Sequence, residues 1–210
     1  MVILYICRYL TFMIYPIVAY GDPVLKKPSL NIEKGSIDVK KLAADMFETM
    51  YHARGVGLAA PQIGMNLRMF VADSTPLDDD DEEEETESGD KKAESKGIKK
   101  VFINPTILEE NGKDWGYEEG CLSIPGIRSE VMRPENLKIH YYDENWVEHT
   151  ETYDGIQARI IQHEYDHIEG ILFIEYLSAI KKRLIKAKLI NISKGVVDVN
   201  YKMKFPVKSK

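Results

Sequence analysis

The residues best suited to chemistry in this 210-residue chain are Gln162-His163-Glu164-Tyr165-Asp166-His167, an H-E-x-x-H segment. On a helix, side chains four apart stand one above the other, so His163 and His167 can aim both imidazoles at one cation, with Glu164 beside it. Ile156, Ile160, His163 and His167 follow at spacings of four, three and four, which puts the histidines on the face that the helix buries. Two imidazoles on an apolar stripe could be satisfied core residues. A glutamate fixed between them at metalloenzyme spacing favours a metal. A catalytic ion usually takes three protein ligands and keeps one position for solvent, so a third donor is required.

A metzincin-like continuation would place a further His six residues beyond His167, where the chain has Phe173. A thermolysin-like downstream Glu is also missing, because Asp198 is the sole acidic residue after Tyr176. The third ligand is therefore expected upstream. Tyr117-Glu118-Glu119-Gly120-Cys121-Leu122-Ser123-Ile124-Pro125-Gly126 supplies the leading candidate. Alone, a cysteine between Gly120 and Leu122 reads as an inert core residue. Beside a two-histidine helix that lacks a ligand, Cys121 offers a soft thiolate to complete the set. Cys7 and Cys121 are too few for a disulfide framework, which points to a reducing cytoplasm and leaves Cys121 free to ligate. Gly55-Val56-Gly57-Leu58-Ala59-Ala60-Pro61-Gln62-Ile63-Gly64 can let its backbone approach another chain or a ligand, or simply turn tightly. It lacks the Lys-Ser/Thr ending of a phosphate loop. Gln62 is its one residue with a side-chain amide able to donate to an oxyanion.

The elements that must hold these residues follow from periodicity. A helix-like run from about 154 to 170 carries the two histidines. Val39, Leu42, Ala43, Met46 and Met50 outline another helix, capped by Ser36 or Asp38, stopped by Gly55, and read as core without chemistry. Arg68 to Asp73 and Val101 to Asn104 are expected strands. Leu137 to Asp143 and Trp146 to Tyr153 are expected to form a hairpin around Asp143-Glu144-Asn145. His140 and His149 fall on its strands, with nothing to place a metal near them. Ser178 to Ser193 is a last helix, followed by a more strand-like ending. The fold expected is α+β, with mostly antiparallel sheets packed around a central metal-binding H-E-x-x-H helix.

With 44% hydrophobic and 30% charged residues, the chain suits one globular domain. Its formal net charge of -6 has a local origin: residues 78–100 hold 11 acidic and 5 basic side chains, and the remainder balances. A neutral body offers no basic field for sequence-independent nucleic-acid binding, so direct DNA binding is not expected. Eight consecutive acids at 78–85 mark a low-complexity insert spanning 75–100, expected to be a disordered surface loop. Lacking spaced ligands and a turn glycine, it does not read as a calcium site. Residues 1–12, MVILYICRYLTF, have no positive region ahead of the apolar run and no clear cleavage site. Pro16, Gly21 and Pro23 argue against a membrane-spanning helix. Met13 opens a segment that reads as a natural beginning, so 1–12 is expected to be a non-native or dispensable extension of a domain at 13–210.

Three stretches, GVGLAAPQIG at 55–64, EEGCLSIPG at 118–126 and QHEYDHIEG at 162–170, together resemble the three motifs of bacterial peptide deformylases, in that family's order. The resemblance runs from about Met13 to the end of the helix after Tyr176, apart from the acidic insert. It implies removal of the N-formyl group from the initiator methionine of nascent polypeptides, with release of formate. It further implies one divalent cation per chain, held by Cys121, His163 and His167. Ferrous iron is the implied ion, with nickel, cobalt or zinc able to replace it, since Cys and His donors suit several metals.

By the same resemblance, Glu164 acts as general base and acid, and the Gln62 amide and Leu122 N–H form an oxyanion hole. Val56, Tyr117 and Ile156 would wall an apolar methionine pocket, and the backbone near Val56, Gly57 and Gly120 would pair with the peptide as an added strand. Arg128 would face the peptide and Arg133 would brace the Cys loop through Glu119, unless both are simply solvated. The basic run Lys181, Lys182, Arg183, Lys186 and Lys188 would touch the ribosome, against the plainer reading of a solvated helix face. An H-E-x-x-H metallopeptidase is the rival enzyme, and a closed structural Cys-His-His site the non-enzymatic rival.

Overall fold

Alternating burial in the central strands, and a helix buried on nearly every side, generate the architecture. The computed structural model describes residues 12–77 and 97–207. The expected N-terminal extension, apart from Phe12, and the acidic run at 78–96 lie outside the described residues. In chain order the elements are β1 (Ile17–Val18), α1 (Val39–His52), β2 (Gly57–Ala59), β3 (Met69–Asp73), β4 (Lys99–Cys121), β5 (Ile124–Tyr142), β6 (Glu148–Asp154), α2 (Gly155–Ile168), α3 (Ala179–Ser193) and β7 (Met203–Lys204). Single 3-10 turns occur at Pro23–Lys26, Ala60–Ile63 and Phe173–Tyr176. Strands β2-β3-β4-β5-β6 form one sheet in that order with every pair antiparallel, and β1 pairs with β7 in parallel. With α2 lying against β2, β3, β5 and β6, this is the expected α+β arrangement around the H-E-x-x-H helix. Among the described residues no helix is long and apolar enough to cross a membrane.

α1 starts where the Asp38 carboxylate accepts the Lys41 N–H at 3.0 Å, and it buries Val39, Leu42, Ala43, Met46 and Met50. Gly55 is not its stop. The helix ends at His52, and Arg54 takes the left-handed position at φ +56°. The reason for glycine at 55 is proximity: a β-carbon there would lie 2.9 Å from Leu122 Cδ1.

A larger departure concerns the strands. β4 and β5 form one long hairpin, of which periodicity marks only Val101–Asn104 and Leu137–Tyr142. Its register shifts between Ile103 and Thr106, Ile107 and Glu109, Asn111 and Asp114, and Gly120 and Cys121. Each irregularity breaks the period-two pattern, and Leu108 to Asp114 are exposed throughout, so no buried face shows in the sequence. The expected end of the insert also moves: Lys99 and Lys100 already pair with Asp73 and Ala72 in the sheet. Between β5 and β6, Trp146 and Val147 belong to the turn rather than the strand. Trp146 has φ +62°, and Asp143 Oδ1 accepts the Asn145 and Val147 N–H groups at 2.8 and 2.9 Å.

Three apolar cores follow. One joins α1 to β2 and β3 through Met46, Met50, Leu58, Met69 and Val71. A second packs the sheet on α2 through Phe70, Phe102, Ile139, Ile160 and Ile161. The third gathers Ala19, Ile124, Phe173, Leu189 and Ile192 beneath α3.

At the border of the second core, Glu151 accepts Lys100 Nζ at 2.8 and 2.7 Å, the Tyr141 hydroxyl at 2.6 Å, and the Tyr153 hydroxyl. Burial would raise this carboxyl, but the donors outweigh burial and bring it from 4.5 to about 2. A carboxyl depressed in the folded state contributes stability above its unfolded pKa, and that contribution disappears as pH falls through the folded value. The stability gap between wild type and Glu151→Gln is therefore expected to be full above pH 4.5 and to close as pH falls to about 2. Urea titrations across that range measure it, and a gap independent of pH would refute the assignment.

Candidate metal centre

Cys121 Sγ and one nitrogen each of His163 and His167 lie within 4.8 Å of one another, and Cys121 Sγ is 3.2 Å from His167 Nε2. Among the described residues no other group of metal donors clusters in this way. Backbone geometry explains the convergence. Cys121 closes β4, and the two-residue link Leu122-Ser123 turns directly into β5, with Cys121 opposite Ile124. The sulfur is thus aimed by a sheet rather than by a long loop. The histidines stand one turn apart on α2, their rings 5.1 Å between centroids. Just past α2, Gly170 (φ +75°) lets the chain pass the backbone of Lys26 and Lys27, where a β-carbon would come within 2.7 Å.

Glu119 organises the charges around these donors. It accepts His163 Nδ1–H at 2.8 Å, Arg133 Nε–H at 2.7 Å and Nη2–H at 3.0 Å, and Arg159 Nη1–H at 2.9 Å. Arg133 continues to Asp166 Oδ2 at 2.7 Å, and Asp166 accepts the Tyr176 hydroxyl at 3.1 Å. Burial would raise Glu119, yet His163 and Arg133 hold it well below the usual carboxylate range. The bond to Nδ1 orients the His163 ring and leaves Nε2 as its donor for a cation. Burial lowers His163 too, but its bonds to Cys121 and Glu119 carry it well above the ordinary imidazole value. His167 is driven well below that value by burial and by the charge of His163. A divalent cation would replace the proton that Cys121 and Glu119 favour on His163, and one sulfur and two imidazoles are donors that such an ion binds in deprotonated form. The residues present fit such an ion.

Glu164 sits beside them, 4% exposed, and its Oε2 has no hydrogen-bond partner among the described residues. Burial raises this carboxyl to about 7, with His163 opposing. A lone buried carboxylate is unfavourable, so its presence here needs a reason beyond stability, and a group poised near neutrality can both take and return a proton. Gly57 makes room for it: a β-carbon at 57 would lie 2.4 Å from Glu164 Oε1. Gln62 is buried as well. Its Oε1 accepts the Ala59 N–H at 2.7 Å, which turns Nε2 toward Cys121 Sγ at 3.5 Å.

A cavity of about 530 Å³ opens over this group. Val56, Gly57, Tyr117, Gly120, Arg128 and Ile156 all line it, together with Gln62, Cys121, Leu122, His163 and Glu164, while His167 lies outside the lining. Arg128 is 63% exposed with Glu118 at 3.4 Å, whereas the expected pair of Arg133 and Glu119 is buried rather than solvated. His140 and His149 pair with Glu148 and Asp143 and join no group of metal donors among the described residues.

The lining also contains residues that sequence reasoning missed, among them Arg54, Arg159, Val199 and Tyr201. Arg159 is one helical turn before His163, so it shared a face with a predicted ligand and was discoverable. Glu119 was expected only as the partner of Arg133, and its further bonds to His163 and Arg159 follow from its place two strand residues before Cys121. Val199 and Tyr201 reach the cavity only through the pairing of β7 with β1, which no local pattern announces.

Residues 14–183 match the family described as polypeptide deformylase. The chain is 61% identical to the peptide deformylase of Cytophaga hutchinsonii, over 93% of this chain and 100% of that one. It is 56% identical to that of Christiangramia forsetii, over 92% and 97% respectively. Among solved structures, the peptide deformylase of Thermus thermophilus is similar at 38% identity and a TM-score of 0.72, covering 87% of this chain and 99% of that one. The peptidase reading of the helix needs a downstream ligand, whereas the one donor that clusters with the two histidines among the described residues, Cys121, lies upstream. Likeness of this degree along nearly the whole length goes beyond a shared fold, and the chain belongs to the polypeptide deformylase family, metal-dependent hydrolases that remove N-formyl groups from nascent peptides.

Proposed function

We propose that Cys121, His163 and His167 hold the divalent metal and that the cavity above them receives the formyl-methionine end of the substrate. The clustering of one sulfur and two nitrogens within 4.8 Å at this cavity carries the reading. A divalent cation there supplies two things, a lower pKa for water and withdrawal of charge from the formyl oxygen. Glu164 takes a proton from the attacking water and returns it to the departing amine, so the C–N bond breaks to give formate and a free amino terminus. Gln62 Nε2–H and Leu122 N–H donate to the formyl oxygen as negative charge develops on it.

Val56, Tyr117 and Ile156 give the methionine side chain an apolar wall, and the backbone at Val56, Gly57 and Gly120 pairs with the peptide. Arg128, at the exposed edge of the lining, meets the peptide further along. Ferrous iron is the inferred ion on the strength of the family resemblance, with nickel, cobalt and zinc as substitutes. The enzyme is placed in the cytoplasm, where formylated chains emerge. α3 is assigned a transient ribosome contact, supported by its run from Lys181 to Lys188 and by Ile180 and Leu184, each 75% exposed. Residues 13–210 are taken as one domain in which the acidic insert is dispensable, and residues 1–12 as a dispensable extension outside it.

Metal-loaded protein is expected to release formate from formyl-Met-Ala and to leave internal peptide bonds intact; cleavage of internal bonds without formate would overturn this assignment. In the same assay Gln62→Ala should lose about 10²- to 10³-fold in kcat. A loss below about tenfold would leave Gln62 a structural residue only.

A further inference from the structure

The segment after α3 comes back to the active-site cavity. β7 runs beside β1, with the Ile17 N–H bonded to the Lys202 carbonyl and the Ala19 N–H to the Lys204 carbonyl, both at 2.8 Å. This pairing sets Tyr201 in the cavity lining, where its hydroxyl donates to the Leu122 carbonyl at 2.8 Å. The next carbonyl, that of Ser123, accepts the Tyr20 N–H at 2.9 Å. The two-residue link that follows Cys121 is therefore tied at both of its carbonyls, one from each side of the same strand pair. Tyr201 also lies beyond residue 183, where the family match ends.

We propose that Tyr201 is a positioning residue for deformylation, fixing the Leu122-Ser123 peptide and through it the direction of the Leu122 N–H. The proposal rests on the reading of that N–H as an oxyanion donor. A peptide unit is planar and moves as a whole, so an anchored carbonyl restricts the torsions on either side of it. Without the Tyr201 hydroxyl, rotation of the plane after Leu122 can be compensated by rotation of the plane before it, which carries the N–H. Oxyanion donors act by being fixed before charge develops, so loosening one weakens the transition state more than the bound substrate. The expected signature is a fall in kcat with KM preserved.

Tyr201→Phe keeps the ring and deletes only the donor. In metal-loaded protein it should lose about 5- to 10-fold in kcat on formyl-Met-Ala, with KM within about twofold of wild type. Its Leu122 and Ser123 amides should exchange with deuterium faster, followed by NMR, while metal content and melting temperature hold. Phe205→Ala loosens the tail where Phe205 packs on the third core, leaves Tyr201 in place, and should give a smaller change of the same kind. Unchanged exchange in Tyr201→Phe would overturn the tie itself. A raised KM at constant kcat would make Tyr201 a substrate contact, and a fall in kcat that follows lost metal or lost stability would make it a plain structural tie; either overturns the proposal. Faster exchange at constant kcat would overturn the role given to the Leu122 N–H, and with it the catalytic consequence claimed for Tyr201.

Discussion

Glu164→Gln is expected to lower kcat by about 10²- to 10⁴-fold, the range that a positioned proton-transfer group contributes. The substitution is nearly isosteric, and the amide cannot take a proton from water. Glu164 lies in a setting that favours the neutral form, 4% exposed and with Oε2 unpartnered among the described residues. In metal-free protein an ionised carboxylate there is unfavourable, so the metal-free amide variant should melt at or above the wild-type temperature, while turnover of the metal-loaded variant collapses. Steady-state kinetics on metal-loaded protein and thermal melts on metal-free protein test the two halves. A kcat loss under about tenfold would assign the proton transfer to another group.

Glu119→Ala should instead fail through the fold. Arg133 and Arg159 are 5% and 2% exposed, and both donate to Glu119. Its removal leaves Arg133 with Asp166 alone and Arg159 with only the carbonyls of Val131 and Trp115 among its hydrogen-bond acceptors in the described residues. Breaking a buried ion pair from one side costs about 3–5 kcal/mol, because the remaining charge stays desolvated. His163 loses the acceptor that orients its ring, which typically weakens metal binding by about 10- to 100-fold. Urea unfolding and metal release to a chelator measure the two effects. A variant within about 1 kcal/mol of wild type, with unaltered metal retention, would show that Glu119 does not hold this network together.

The parts of the site legible in the sequence were those set by local periodicity. His163 and His167 sit four apart on a helix in register with Ile160; Ile160 and His167 are buried as that stripe predicts, while Ile156 and His163 are only partly buried because they border the cavity. Cys121 could be reached by its type and by the need for a third ligand. Its location at the end of a long hairpin could not, because the register shifts in β4 erase the alternation that reveals strands. Glu118 and Glu119 look alike as a charged pair, yet the strand divides them, exposing the first and burying the second among two guanidinium groups and an imidazole. The amide of Gln62 was chemically legible, but its orientation depends on the Ala59 N–H, a backbone contact with no sequence signature. Tyr201 was invisible for a topological reason: a parallel pair between the two ends of the chain carries it in.

The missing side chain at Gly57 limits how this pocket could be redesigned. Even a methyl group there would collide with the Glu164 carboxylate, 2.4 Å from where it would begin. Under the proposed mechanism, substitution at 57 would therefore confuse selectivity with displacement of Glu164. If the proposed methionine pocket holds, engineering for other first residues has its freedom at Val56, Tyr117 and Ile156, whose side chains line the same cavity. Swaps at those three positions would then be expected to trade one substrate for another while leaving Glu164 in place.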